Sequence, residues 1–293
     1  MTPLRLRVDV CTYRGLRDGA PELLRIFRRR KIRATFFVAL GPDSSGRAVM
    51  KLLQPSFARK MIRNKAAGTY GLATALYGTV LPAPLVGAGR PSILKRILDD
   101  GHELGAHGWD HRRWQDDLDE YSRAKLASEF DRMCEAFRAA AGREPRAFAA
   151  PAWRVSPALL ELEARAGFAF ASDSRGSAPF LPVYEGRRYP VPQVPVTFPT
   201  LDEALVIMSA AEFYKETLAA AQGGREYACL AVHAEMEGRK YAREFERFLE
   251  KLERPVAPLG STPLENAAPA PMSLKPFAGR SYAVCVQGNG ADS

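Results

Sequence analysis

Three of the four histidines in this 293-residue chain, His102, His107 and His111, fall within residues 101–111, and the fourth is His233. His107 and His111 stand in an H-x3-H spacing. On a helix, residues four apart share one face, with Cβ atoms about 5–6 Å apart, so two imidazoles placed this way can grip one divalent cation. Metal-assisted hydrolysis needs more than a pair. It needs a third ligand with an open position beside it, a base for the attacking water and an acid for the leaving group. Cys11 and Asp9, at the end of the first apolar run, and His233, at the end of the last, are the residue types that could complete such a site.

The elements around these residues read as alternating strands and helices. Residues 4–10 (L-R-L-R-V-D-V) alternate and then become apolar, as a strand entering a core does. A helix is expected over 21–30, opened by Pro21 and closed by a basic last turn, and a strand over 34–40. Strand, helix and strand in about forty residues form a βαβ unit with parallel strands. The rhythm resumes with a helix over 91–100, a strand over 102–106, and a long helix over 122–141 with Leu126, Phe130, Met133 and Phe137 at core spacing. A short strand at 146–150 precedes Trp153 and Arg154; a helix runs from Pro157 to Ala166, and 168–171 leads to Asp173. A Pro-rich loop, a strand at 191–197, a helix over 202–221, a strand at 227–232 and a last helix ending near Leu252 complete the pattern. Each polar cluster follows a predicted strand, which in α/β barrels is the catalytic rim.

Composition places the chain among ordinary globular proteins, and four scattered cysteines without a C-x-x-C pair argue against a disulfide framework. No secretory signal is read at the N-terminus, so a cytoplasmic location is expected. The formal charge of +9 is unevenly spread. Residues 44–98 contain no Asp or Glu and nine basic residues: Arg47, Lys51, Arg59, Lys60, Arg63, Lys65, Arg90, Lys95 and Arg96. Outside that window 33 basic residues (42 minus 9) meet 33 acidic ones, so the excess sits in one insertion. Within it, residues 66–89 carry no charge at all. A basic amphipathic stretch followed by an uncharged one is expected to lie at an anionic membrane interface. A solvated basic face is the alternative. Nucleic acid is not the expected partner, because aliphatic side chains rather than stacking aromatics are interleaved with the charges. One domain is expected over 1–260, with 41–89 as the membrane-facing insertion and 261–293 as a Pro/Gly-rich tail.

The motifs D-V-C at 9–11, A-T-F-F at 34–37, G-H-E-L-G-A-H-G-W-D-H at 101–111 and L-A-V-H at 230–233 resemble the polysaccharide deacetylase (NodB-homology, carbohydrate esterase 4) superfamily. The pieces T-Y-R-G at 12–15, A-W-R at 152–154, S-D-S-R-G at 172–176 and H-A-E-M-E-G at 233–238 are similar to its branch of deformylases that act on undecaprenyl-phosphate 4-deoxy-4-formamido-L-arabinose. The resemblance implies an α/β fold, a distorted (β/α) barrel, and a metal-dependent hydrolysis that releases formate and the 4-amino sugar lipid for lipid A modification and cationic peptide resistance. It implies a peripheral protein on the cytoplasmic face of the bacterial inner membrane. By position, Asp9 is the base, His233 the acid, and His107 and His111 metal ligands. The third ligand of the family is an Asp, and Cys11 stands there instead; a thiolate suits zinc. The family's arginine before its Pro-x-aromatic motif is also missing, with Ala149 and Ala150 in its place, and Arg154 is expected to substitute. Trp153, Asp173 and Glu235 are the remaining candidates for substrate or supporting contacts. Deacetylation of another N-acyl sugar, or a metal-impaired, non-catalytic membrane-binding relative, are the alternatives.

Overall fold

The computed structural model describes residues 2–50, 74–277, 280 and 282–288. Its strands are β1 (Leu4–Val10), β2 (Thr35–Val38), β3 (Glu103–Ala106), β4 (Ala147–Phe148), β5 (Phe170–Ala171), β6 (Leu181–Tyr184), β7 (Arg187–Arg188), β8 (Cys229–His233), β9 (Val256–Ala257), β10 (Pro269–Lys275) and β11 (Val284–Gln287). The main helices are α1 (Ala20–Arg30), α2 (Pro91–Asp99), α3 (His111–Asp117), α4 (Arg123–Ala141), α5 (Pro157–Ala166), α6 (Ala210–Gln222) and α7 (Ala242–Lys251). The parallel strands order as β5-β4-β3-β2-β1-β8, a sheet curled into a half-barrel, with β9 added beside β1. This is the distorted (β/α) barrel expected from the sequence. Every residue of β1 is buried, the alternating Arg5, Arg7 and Asp9 included, so its charged side chains must find partners inside the fold.

Register is what aligns the site. Val10 pairs with Val38, Val38 with Ala106, and Ala106 with Phe148, so the four strand ends finish level. On the other side of β1, Asp9 pairs with His233. Residues immediately past this row therefore meet above one edge of the sheet.

Two expectations change. The helix over 202–221 is broken: a single turn, Leu201–Ala204, is followed by bends, and α6 begins afresh at Ala210 under its own Ser209–Glu212 capping box. The stretch 191–197 makes isolated bridges at Gln193 and Val196 rather than a strand. A second sheet, β11-β10-β6-β7, joins the Pro-rich loop to the C-terminal residues. Pairing there is long-range and its segments are broken by proline, so no local periodicity announces it. Of the 41–89 insertion, residues 51–73, including Lys51, Arg59, Lys60, Arg63 and Lys65, lie outside the described residues. In its described part Val80, Leu81 and Leu85 are exposed, Val80 at 76%. Among the described residues no helix is long and apolar enough to cross a membrane.

Candidate metal centre and active site

Cys11, His107 and His111 come together, with one donor atom from each lying within 4.8 Å of the others. The helical-face geometry suggested by the H-x3-H spacing is not how the histidines meet. His107 closes the β3 edge, its backbone N–H bonded to Val38 O at 3.0 Å, and His111 opens α3, with Gly108 between them. Gly108 has φ +78°, and a Cβ there would meet Pro151 Cγ at 2.9 Å, so the turn that folds one imidazole over the other needs glycine. Asp110 caps α3 by accepting the Arg113 N–H at 3.0 Å. The two imidazole centroids end 4.9 Å apart.

The donors are prepared for a cation. Burial pushes the His107 pKa down to about 4, and burial followed by the neighbouring His107 pushes His111 well down, so both rings are neutral, the ligating form. His107 Nδ1 donates to Ala149 O at 2.7 Å, which leaves Nε2 as the ligand atom and fixes the ring's orientation. Burial first, then the carboxylates of Glu235 and Asp9, raise the Cys11 thiol well above its ordinary value. A divalent cation reverses that preference by ionising the thiol it binds. Two neutral imidazoles and one thiolate fit zinc with a fourth position open.

The loop carrying Cys11 is tied down from β8's side. Glu235 Oε1 accepts the Cys11 N–H (2.7 Å), the Thr12 N–H (2.6 Å) and the Thr12 hydroxyl (2.9 Å). Glu235 is thus buried in the support of the loop. After β1 and after β8 the chain winds into wide turns, Gly15–Gly19 and Met236–Lys240. They pack backbone to backbone: a Cβ on Gly19 would lie 2.0 Å from Ala234 O, and one on Gly238 would lie 2.3 Å from Gly19 O.

Asp9 is gripped by Arg7, whose Nε donates to Oδ1 at 2.6 Å and whose terminal nitrogen donates to Oδ2 at 2.8 Å. Burial alone would raise the Asp9 pKa, but the Arg7 charge overcomes it and holds the carboxyl at about 2. Arg7 also bonds Ser172 O and Ser172 Oγ. Arg154, expected to replace the family's missing arginine, instead pairs with Asp119 and donates to Gln115 O at 3.0 Å. The guanidinium on Asp9 is that of Arg7, two residues away on the same strand face, because side chains two apart in a strand point the same way. That signal was legible in L-R-L-R-V-D-V: an arginine in a buried strand needs a partner.

His233 Nδ1 faces Asp202 Oδ1 at 3.5 Å, and its backbone N–H bonds Glu237 Oε2 at 2.9 Å. Asp202 is paired at 3.0 Å with Arg280, which also donates to Glu203 at 2.7 Å and Thr200 Oγ1 at 3.2 Å. Arg175 donates to Glu203 from the other side at 2.6 Å. Trp153 lies between these cations, with the Arg175, Arg280 and Arg7 guanidiniums 4.0, 5.2 and 5.2 Å from its ring. Ala152 and Trp153 both take left-handed φ (58° and 53°), a conformation costing about 1–2 kcal/mol per residue that packing against three cations helps hold. Asp173 does not touch His233 or Asp9. It accepts the Ala150 N–H at 2.6 Å and Gln193 Nε2 at 2.9 Å, and so holds the β4 edge that carries the His107 partner Ala149. The sequence reading missed Arg7, Asp202 and Arg280. His102 is a core residue, its Nδ1 accepting the Ala34 N–H at 3.1 Å.

Residues 6–171 match the polysaccharide deacetylase family model. A Shewanella sediminis protein named probable 4-deoxy-4-formamido-L-arabinose-phosphoundecaprenol deformylase ArnD is 40% identical over 255 residues, covering 85% of this chain and 81% of its own. One of the same name from Wigglesworthia glossinidia brevipalpis is 33% identical over 237 residues, 80% of this chain and 82% of its own. A polysaccharide deacetylase-type structure from Mycobacterium smegmatis superposes with TM-score 0.55 at 16% identity, over 88% of this chain and 90% of that one. At that identity it speaks for the fold alone.

Proposed function

This chain belongs to the polysaccharide deacetylase family, and from that premise we propose that it hydrolyses the formamide of undecaprenyl-phosphate 4-deoxy-4-formamido-L-arabinose, releasing formate and the free 4-amino sugar lipid. The observation that carries the reading is the level row of Cys11, His107 and His111, with Asp9 and His233 in register beside it, in a chain 40% identical to a protein of that name. We assign the metal as zinc, held by Cys11, His107 and His111. When bound it would polarise the amide carbonyl and acidify the attacking water.

Asp9 is the base. Arg7 keeps it ionised and aimed, with two fixed hydrogen bonds, so it accepts the water's proton without reorganising. His233 is the acid: Asp202 faces Nδ1, leaving Nε2 to protonate the departing sugar nitrogen as the C–N bond breaks. The attacking water gives one proton to Asp9 and its oxygen, with the second proton, to the formyl carbon; His233 gives its own proton to the amine as the C–N bond breaks, the formic acid released ionises to formate, and passage of the Asp9 proton back to His233 restores both groups. The protein works at an anionic membrane surface, on the cytoplasmic side, where such a lipid would be presented.

Incubation of the zinc-loaded chain with the formamido lipid and its acetamido counterpart, with formate and acetate measured, tests the assignment. Formate alone is expected. Acetate release at a comparable rate would redirect the reading to a general N-acyl sugar deacetylase. Zinc that fails to bind until Cys11→Asp restores it would make this chain the non-catalytic relative. Flotation with anionic liposomes tests the membrane assignment, and a chain left at the bottom of the gradient would end it.

A further inference from the structure

The loop that follows Cys11 presents a second group of charges that the proposed chemistry does not use. Arg17 and Arg90 stand over the Tyr13 ring with guanidinium carbons 5.7 and 5.0 Å from its centroid. Arg90 also donates to the Tyr13 hydroxyl, so among the described residues its polar partner is a phenol and not a carboxylate. Arg14 and Arg17 share one carboxylate, Asp18, at 3.4 and 2.6 Å. Among the described residues Asp18 is the one carboxylate paired with these three guanidiniums; the neighbouring carboxylates, Glu235 and Asp43, are buried on the Thr12 and Tyr13 backbone N–H groups. The group is built on Tyr13, two residues after Cys11 in the chain, and holds more guanidiniums than carboxylates paired with them.

Apolar surface adjoins it. Tyr13 meets Tyr77 edge-on at 6.3 Å, and Tyr77 bridges to Leu81. From Tyr77 the chain passes through Val80, Leu81 and Leu85, three of the four large hydrophobic residues exposed on the described surface. The fourth, Ile207, belongs to an apolar groove of about 350 Å³ on the His233 side. That groove is the alternative path for a hydrocarbon chain, but it is lined by Glu203 and Glu216, and the nearest arginines, Arg175 and Arg280, are already paired with Asp202 and Glu203. A phosphate there would meet carboxylates with no unmatched cation.

Resting on the function proposed above, we propose that Arg17 and Arg90, around the Tyr13 ring, bind the phosphate of a polyprenyl-phosphate-linked substrate, and that Val80, Leu81 and Leu85 carry the first part of its hydrocarbon chain. The sugar then spans from this phosphate to the metal triad. Charge-assisted hydrogen bonds of this kind set the expected effect of losing one at about ten- to hundredfold in affinity.

Titration calorimetry of the full zinc-loaded chain with farnesyl phosphate, inorganic phosphate and farnesol tests the site. Farnesyl phosphate is expected to bind tighter than either component. Arg17→Gln and Arg90→Gln are expected to weaken it about ten- to hundredfold, Arg90→Lys to retain most of the affinity, and Leu81→Ser to weaken farnesyl phosphate but not inorganic phosphate. Equal binding by wild type and both glutamine variants would overturn the proposal, as would loss of binding in Ile207→Glu alone, which would put the chain in the other groove. No turnover enters the measurement. A protein that binds farnesyl phosphate in this way and releases no formate would sink the proposed reaction and leave this site standing.

Discussion

The two flanks of the metal triad are both rich in arginine and differ in what the arginines do. On the His233 flank, Arg7, Arg175 and Arg280 are buried or nearly so, and each is matched to carboxylates, Asp9, Glu203 and Asp202. On the Tyr13 flank, Arg14 and Arg17 keep side-chain exposures of 26% and 42% and share a single carboxylate. A guanidinium taken out of water must be paired, and once paired it fixes its partner's position. A guanidinium left at the surface keeps its charge available to a ligand. Residue type is the same on both sides, and burial decides between positioning and binding.

The largest effect should come from the groups the buried arginines position. Asp9→Asn and His233→Gln are each expected to lower kcat by about 10²–10⁴-fold, with zinc content by metal analysis unchanged. A loss under tenfold in either would show that flank to be structural. Next, Arg7→Met orphans a buried carboxylate, and chemical denaturation should show about 3–5 kcal/mol less stability; an unchanged midpoint would mean that the pair contributes nothing net.

Glu237 supplies a pH test of the same flank. Burial pushes its pKa up to about 7, with the nearby His233 pulling the other way. A carboxyl raised in the fold binds protons more tightly folded than unfolded, so its penalty is absent below its ordinary value of 4.5 and grows as pH rises through about 7. Unfolding free energy should therefore fall across that window by at most about 3 kcal/mol, and Glu237→Gln should flatten the slope. A slope of the opposite sign would contradict the assignment. Arg280→Gln should lower kcat about tenfold while KM and zinc content hold, because the residue acts through Asp202 and His233 and touches neither substrate nor metal. Recovery in Arg280→Lys would confirm a positioning role. The smallest effect belongs to the open flank: Arg17→Gln should move stability by no more than about 0.5 kcal/mol, and a larger loss would show that it, too, is a locked ion pair.

Much of the fold was legible because its helices and parallel strands are local patterns. The residues 122–141 place Leu126, Phe130, Met133 and Phe137 on one face, and α4 buries those four side chains. The second sheet was not legible, since β10 pairs with β6 across nearly ninety residues and both segments carry prolines. In the site, Cys11, His107 and His111 could be named from spacing and position, although their meeting depends on a strand edge and a glycine turn rather than on a helix face. Arg154 was assigned to the wrong partner because proximity in sequence to Trp153 says nothing about which carboxylate its long side chain will reach.

The sequence by itself determined the strand ends and the residue types standing on them, which are those proposed as ligands, base and acid, because apolar runs and their polar termini are encoded over a few residues. Only the tertiary structure decided the electrostatic partners: Arg7 on Asp9, Arg280 on Asp202, and Tyr13 between Arg17 and Arg90. Ion pairs form between whichever charges the packed elements bring within reach, and Arg280 meets Asp202 from 78 residues away along the chain.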